Sequence, residues 1–281
     1  MELRYIPARD AFDYRVVGIS DGGHANASSY GFARARSISP RRLTLTLMNP
    51  ASVTALREVF LQCRDMDASL QERLDIYSHA VRKIIPSYAN AIEGLVHRLI
   101  ESGAGSGAPD VGDAMPPFIL PDENGRPVSL KQLIERGPIA VTFHRGHWCP
   151  WCRISINALV RVHSKIAEAN GQVVAIMPDR QPFAVEFKRE ASSPFPVLID
   201  MDNGYALLLN LAIWVGPDLK RLLTSYGRVL PDYQGNDAWT LPIPATFVVG
   251  RDGLVRARFT DPDFRRRMTV EELLDALKAA Q

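Results

Sequence analysis

Ile139-Ala-Val-Thr-Phe143 runs directly into His144-Arg145-Gly146-His147-Trp148-Cys149-Pro150-Trp151-Cys152, and what must happen on either side of that junction decides the fold. By composition Ile139–Phe143 reads as a buried strand. A helix follows, carrying Leu159, Val160, Val162 and Ile166 and stopping at Asn170-Gly171. The two cysteines therefore stand at a helix N-terminus, where unpaired backbone N–H groups and the helix dipole favour negative charge. Thiolate is stabilised over thiol there. Arg145 adds to the effect, and so does His147 when protonated. With the sulfurs one helical turn apart, whichever is oxidised by a peroxide or a disulfide is open to attack by the other, which closes an intramolecular disulfide. Pro150 suits a first turn because the N–H it lacks would have no helical partner. A structural zinc site is the competing reading, but zinc usually needs four ligands, and only Cys63 and scattered histidines remain to complete the set. No metal and no other cofactor is expected.

Downstream, Val173–Met177 and Val197–Ile199 read as strands with a helical stretch near Phe183–Glu190 between them. Further helical regions follow around Tyr205–Leu211 and Asp218–Tyr226. Pro244-Ala-Thr-Phe-Val-Val249 and Leu254–Phe259 flank Arg251-Asp252-Gly253 as a hairpin, and Thr269 with Glu272 forms a capping box for the last helix. Upstream, Phe118–Leu120 and Val128 flank a turn at Asn124-Gly125, and Ser129 with Gln132 caps a short helix ending at Gly137. Strands alternating with helices and closed by a hairpin and a helix imply an α/β fold with a mixed central sheet flanked by helices, over residues 111–281.

Before that domain the pattern changes. Ser102-Gly-Ala-Gly-Ser-Gly-Ala-Pro109 breaks every periodicity, and 102–110 reads as a flexible linker. Residues 48–101 form a helical appendage: Leu70, Leu74, Tyr77, Val81 and Ile84, then Ile92, Leu95, Val96 and Leu99, recur at helical steps, with Pro86 separating two helices. Such short helices must pack on each other, on the main domain or on another copy of the chain, so a homo-oligomer through the 52–101 helices is among the expectations. Residues 1–47 lack periodicity, carry Gly22-Gly23 and a Ser/Arg-rich stretch, and read as a poorly ordered extension. Translation starting at Met48 would account for them.

The chain has 281 residues, 46% of them hydrophobic, and 33 basic against 31 acidic residues give a net charge of +2. No large electrostatic field exists to gather nucleic acid or anionic lipid, so small molecules and proteins are the expected partners. No apolar run approaches a membrane span, and three cysteines are too few for a disulfide scaffold. A soluble, cytoplasmic protein is expected.

Several residues beyond the cysteines bear on the site. Pro244, opening its strand, reads either as a plain edge-strand start or as a cis-proline facing the cysteines and docking a substrate thiol or disulfide. Trp148 and Trp151 are expected to form an apolar lip that keeps the pair partly dry. His144 and His147 read as solvated or structural, Arg265-Arg266-Arg267 as a solvated basic run, and Cys63 as a buried helix cysteine.

Residues 111–281 resemble the alkyl hydroperoxide reductase/thiol-specific antioxidant (AhpC/TSA) group of peroxiredoxin-like proteins. The likeness rests on Gly112-Asp-Ala-Met-Pro-Pro-Phe118, Asp122-Glu-Asn-Gly125, the Phe143-to-Cys152 segment, Pro244–Phe247, Arg251-Asp-Gly253 and Asp261-Pro-Asp-Phe264. It implies a thioredoxin-like fold, reduction of a hydroperoxide substrate through a sulfenic acid, and recycling by a thioredoxin-type reductant. The group's usual Pro-x-x-x-Thr-x-x-Cys run, laid on this chain without gaps, puts Arg145 at its proline, Cys149 at its threonine and Cys152 at its peroxidatic cysteine. Its usual later arginine falls at Pro244. Both departures remove donors that would stabilise charge on the peroxide oxygens, so slower or different peroxidase chemistry is expected. In a thioredoxin register Cys149 attacks and Cys152 resolves, whereas in the peroxiredoxin register the roles exchange. A thioredoxin-like disulfide reductase and a non-enzymatic redox-sensing module are the alternatives to a peroxidase.

Overall fold

A computed structural model describes residues 49–281. The extension expected at 1–47 and the start expected at Met48 lie outside the described residues. Asn49 caps helix α1 (Pro50–Asp65), its side chain accepting from the Ala51 N–H at 3.0 Å. Ser69 caps α2 (Leu70–Ile84), and α3 (Pro86–Glu101) starts on Pro86. The appendage thus holds three helices where two were expected. The extra break, at Met66–Ser69, carries neither Gly nor Pro to announce it.

These helices share one core with the rest of the chain. Phe60, Leu74, Tyr77 and Ile92 are buried in the same cluster as Cys149, Cys152 and Ile156. Arg73 ties them further, with its buried guanidinium donating to the Cys63 and Arg64 carbonyls, both at 2.7 Å, and to Asn157 Oδ1 at 2.8 Å. Arg73→Ala leaves these acceptors without their donor, so a loss of about 3 kcal/mol of unfolding free energy is expected in urea titration.

The expected flexible linker is instead a packed chain of turns. Ala104 N–H bonds the Leu99 carbonyl at 2.9 Å, Asn210 donates to the Gly107 carbonyl, and Arg258 to the Ala108 carbonyl. Its glycines give close approach to the domain: a Cβ on Gly105 would lie 3.1 Å from Ile243 Cδ1.

The domain runs through β1 (Ile119–Pro121), β2 (Pro127–Ser129), α4 (Leu130–Ile134), β3 (Ile139–Phe143), α5 (Pro150–Arg161), α6 (His163–Glu168), β4 (Gln172–Met177), α7 (Gln181–Ala191) and β5 (Val197–Ile199). It continues with α8 (Gly204–Leu208), β6 (Ala212–Trp214), α9 (Pro217–Ser225), α10 (Leu230–Gln234), β7 (Thr240–Pro242), β8 (Ala245–Val249), β9 (Val255–Thr260) and α11 (Val270–Ala279). The central sheet has the order β5-β4-β3-β8-β9, with β3, β4 and β5 parallel and β8 and β9 antiparallel to their neighbours. Ile139, Val141 and Phe143 face one core with Val174, Ile176, Phe247 and Leu209, while Ala140, Val173, Ala175 and Val248 face the other, under α5 and α11. This is the α/β, thioredoxin-like arrangement expected.

Two local expectations are corrected. The helix after the cysteines is broken at Val162 (φ −106°, ψ 9°) into α5 and α6. No peptide bond among the described residues is cis, so Ile243–Pro244 is trans. Pro244 lies where the chain passes from the small β6–β7 sheet to the central one, and the Ile243 N–H bonds the Leu211 carbonyl at 2.8 Å, a crossing that the default trans isomer serves.

Candidate active site at the start of helix α5

Parallel pairing brings Phe143 of β3 level with Ile176 of β4. The loops leaving these two strands at their C-terminal ends therefore meet. From β3 come His144 to Trp148, and from β4 comes Asp179. Cys149 is the N-cap of α5 and Pro150 its first residue, as the sequence implied. Both cysteines are free thiols and fully buried.

The pair is held unequally. Burial pushes the Cys149 thiol up, but a hydrogen bond from the Cys152 thiol, the Arg145 charge, the Cys152 N–H and Arg267 outweigh it and bring Cys149 down to about 6. Burial and the Cys149 charge push Cys152 up, against Arg267 and the Arg145 N–H, which lies 3.3 Å from Cys152 Sγ. A thiolate on Cys149 beside a thiol on Cys152 is the favoured charge state.

The expected lip is a closed cover rather than a partly open one. Trp148 and Trp151 are both buried, with Trp151 edge-on between Tyr77 at 5.0 Å and Phe264 at 5.4 Å. Trp151 Nε1 donates to Ser78 Oγ at 2.9 Å, so helix α2 helps close the site. Arg145 stacks on Phe264, 3.7 Å from its ring centre, with Trp148 at 5.2 Å. His144 is buried and held neutral, lowered to about 3 by burial and by Arg267, with Nε2 3.1 Å from Thr142 Oγ1. His147 Nε2 and Arg153 Nη2 lie 3.1 and 2.7 Å from the same Glu190 oxygen. Pro244 is buried at the entry to β8. Cys63 is buried on α1, its thiol pushed up by burial.

Two polar residues escaped sequence reasoning. Asp179 is fully buried, accepts from the His147 N–H at 2.8 Å, and is pushed to about 8 by burial and the Cys149 charge. Its signal was available: it is the first acid beyond an apolar strand parallel to the one that delivers the cysteines. Arg267 belongs to the run read as solvated, yet it is buried with Nη2 3.9 Å from Cys152 Sγ. Nothing in its local sequence separates it from Arg265, which pairs with Glu93 at 2.6 Å and Asp263 at 2.7 Å.

Gly146 makes the Asp179 approach possible. Its φ is +140°, and a Cβ there would lie 2.6 Å from both Asp179 Oδ2 and Trp148 Nε1. Gly146→Ala is expected to cost about 2–4 kcal/mol, measured by denaturant unfolding.

Among the described residues no group of His, Cys, Asp and Glu could hold a metal ion, and no helix is long and apolar enough to cross a membrane. A mixed sheet that delivers two adjacent thiols to a helix N-terminus defines a thioredoxin-fold dithiol protein. Residues 111–258 match the AhpC/TSA family, and the chain belongs to it. It is similar to chloroplastic peroxiredoxin Q of Sedum lineare, at 27% identity over 168 residues, 60% of this chain and 77% of that one. It is also similar to the thiol-disulfide oxidoreductase ResA of Bacillus anthracis, at 23% over 146 residues, 52% of this chain and 66% of that one. Among solved structures it is similar to peroxidoxin BcpB of Mycobacterium tuberculosis, at 20% identity and a TM-score of 0.48 over 62% of this chain and 99% of that one.

Proposed function

We propose that this protein reduces hydroperoxides through Cys149 and Cys152 and is recycled by a thioredoxin-type dithiol. The reading is carried by the unequal pair, in which Cys149 is lowered at the cap of α5 and Cys152 is raised beside it. Cys149 thiolate attacks the terminal peroxide oxygen. The O–O bond breaks, the alkoxide leaves and takes a proton, and Cys149 becomes a sulfenic acid. The Cys152 sulfur then attacks Cys149 Sγ, its proton leaves with the hydroxyl as water, and the disulfide closes. A dithiol returns two electrons and two protons. Arg145 supports the thiolate, Trp148 and Trp151 keep it dry, and Pro244, buried at the entry to β8, is the supporting residue assigned on that strand.

Complete burial of both sulfurs in the reduced pair favours a small molecule over a protein disulfide as its oxidant. A disulfide reductase remains the second reading, favoured by the low Cys149 thiol at a helix cap and by the likeness to ResA. Stopped-flow mixing of the reduced protein with hydrogen peroxide and an organic hydroperoxide tests the first reading, with mass spectrometry of the product. Peroxide consumption with a Cys149–Cys152 disulfide is expected. Consumption no faster than that of a free thiol would remove the peroxidase reading, and insulin reduction in its place would establish the second.

A further inference from the structure

Two buried guanidiniums face the dithiol with no carboxylate among the described residues to neutralise them. Arg145 and Arg267 are 2% and 8% exposed. Neither forms an ion pair among the described residues, and Arg145 Nη1 and Nη2 and Arg267 Nε have no hydrogen-bond partner. The other charged groups around the site account for one another differently. Arg153 and His147 share Glu190 on α7, and Arg265 is held by Glu93 and Asp263. His144 is neutral, and Asp179, beyond β4, stays protonated until about pH 8. The remaining anion at neutral pH is the dithiol itself. An unpaired buried cation is strongly disfavoured, so two of them in one place call for that negative charge.

We infer that Arg267 is a positioning residue for the dithiol: from 115 residues downstream, its guanidinium joins that of Arg145 as the counter-charge of the reduced Cys149–Cys152 pair. The geometry that carries this is Nη2 at 3.9 Å from Cys152 Sγ, with Nη1 fixed by the Phe264 carbonyl and by the Arg266 carbonyl at 2.7 Å. The same arginine thereby anchors the 261–268 segment over the cysteines, with Phe264 against Trp151 and Arg145. Oxidation of the pair to a disulfide, with two electrons and one proton passing to the hydroperoxide proposed above, removes the anion and leaves both guanidiniums facing each other. The segment is therefore held more firmly over the reduced site than over the oxidised one.

The inference rests on Cys149–Cys152 being the working dithiol and is indifferent to what oxidises it. Its test is the pH profile of Cys149 alkylation by iodoacetamide, read by mass spectrometry, in wild type and in Arg267→Gln, Arg267→Lys and Arg265→Met. Gln keeps donors for the Phe264 and Arg266 carbonyls but has no charge. The expected result is a midpoint raised by about one pH unit in Arg267→Gln, and returned most of the way in Arg267→Lys. Arg265→Met, which only loosens the segment, raises the plateau rate and leaves the midpoint in place. An unmoved midpoint in Arg267→Gln, or equal midpoints for Gln and Lys, would overturn the assignment. If Arg267→Gln does not fold, Arg267→Met, which keeps the aliphatic stem and removes the charge, is read in its place against Arg267→Lys, with the same expected rise and the same overturning result. Because no peroxide is used, a protein inert to peroxide with an Arg267-dependent midpoint refutes the peroxidase reading and leaves this one standing.

Discussion

Cys149→Ser is expected to lower peroxide consumption at least about a thousandfold, because it removes the nucleophile itself. Cys152→Ser is expected to behave differently. It keeps the first oxidation, consumes one equivalent of peroxide, and stops with a sulfenic acid on Cys149 that a dimedone adduct would reveal. The asymmetry follows from the charge environment. With its thiol brought down to about 6, Cys149 favours the thiolate at neutral pH, whereas Cys152, pushed up by burial and by its neighbour, stays protonated. Position reinforces charge, since Cys149 is the helix cap and Cys152 lies inside the first turn of α5. Single-turnover peroxide kinetics on the two serine variants decide between the registers that the sequence left open. A one-equivalent burst surviving in Cys149→Ser and absent from Cys152→Ser would reverse the order of attack.

What the sequence disclosed and what it hid divide along a physical line. The β3–Cys149–α5 junction was legible because a buried strand and a proline at the first helical position are local signals, each satisfied within a few residues of chain. The hairpin of β8 and β9 and the cap of α11 were legible for the same reason: Arg251-Asp252-Gly253 and Thr269 with Glu272 declare themselves. Burial of charge is not local. Arg73, Asp179 and Arg267 look like surface residues in sequence, and only tertiary packing encloses them: Arg73 between α1 and α5, Asp179 under the Gly146–Trp148 loop, and Arg267 against Cys152. The supposed linker failed for a related reason. Glycine and alanine signal flexibility when solvated and close approach when packed, and the partner that decides between these, Ile243, is far away in sequence. The strands β6 and β7 were missed because each is three residues long and they pair, Ala212 with Pro242, across about thirty residues of chain, so neither short run has a local partner to announce it.

The second large effect concerns Asp179, whose replacement by asparagine is expected to stabilise the protein at alkaline pH. Its carboxyl is pushed from 3.8 to about 8, first by burial and then by the Cys149 charge, against the His147 N–H and Arg180. A folded-state value raised above the unfolded one means that the folded state prefers the protonated form. The contribution is fully present below about pH 4 and is lost as pH rises through 8, at up to about 1.4 kcal/mol per pH unit in between. Cys149 has the opposite sign: its lowered value contributes stability above its ordinary 9.0, and this is lost as pH falls through 6. The two drifts oppose each other between pH 6 and 8, so the wild-type profile alone is uninformative and the difference between wild type and variant is needed. Asparagine keeps an acceptor for the His147 N–H and does not titrate, so any fixed cost of the amide is the same at every pH. Relative to wild type, Asp179→Asn should gain about 2–3 kcal/mol between pH 5 and pH 7 in urea unfolding. The Cys149 alkylation midpoint should stay where it is, because Asp179 is still protonated when Cys149 ionises. Parallel stability profiles for the two proteins across pH 4–8 would show that Asp179 ionises normally and that the buried carboxyl does not carry the strain assigned to it.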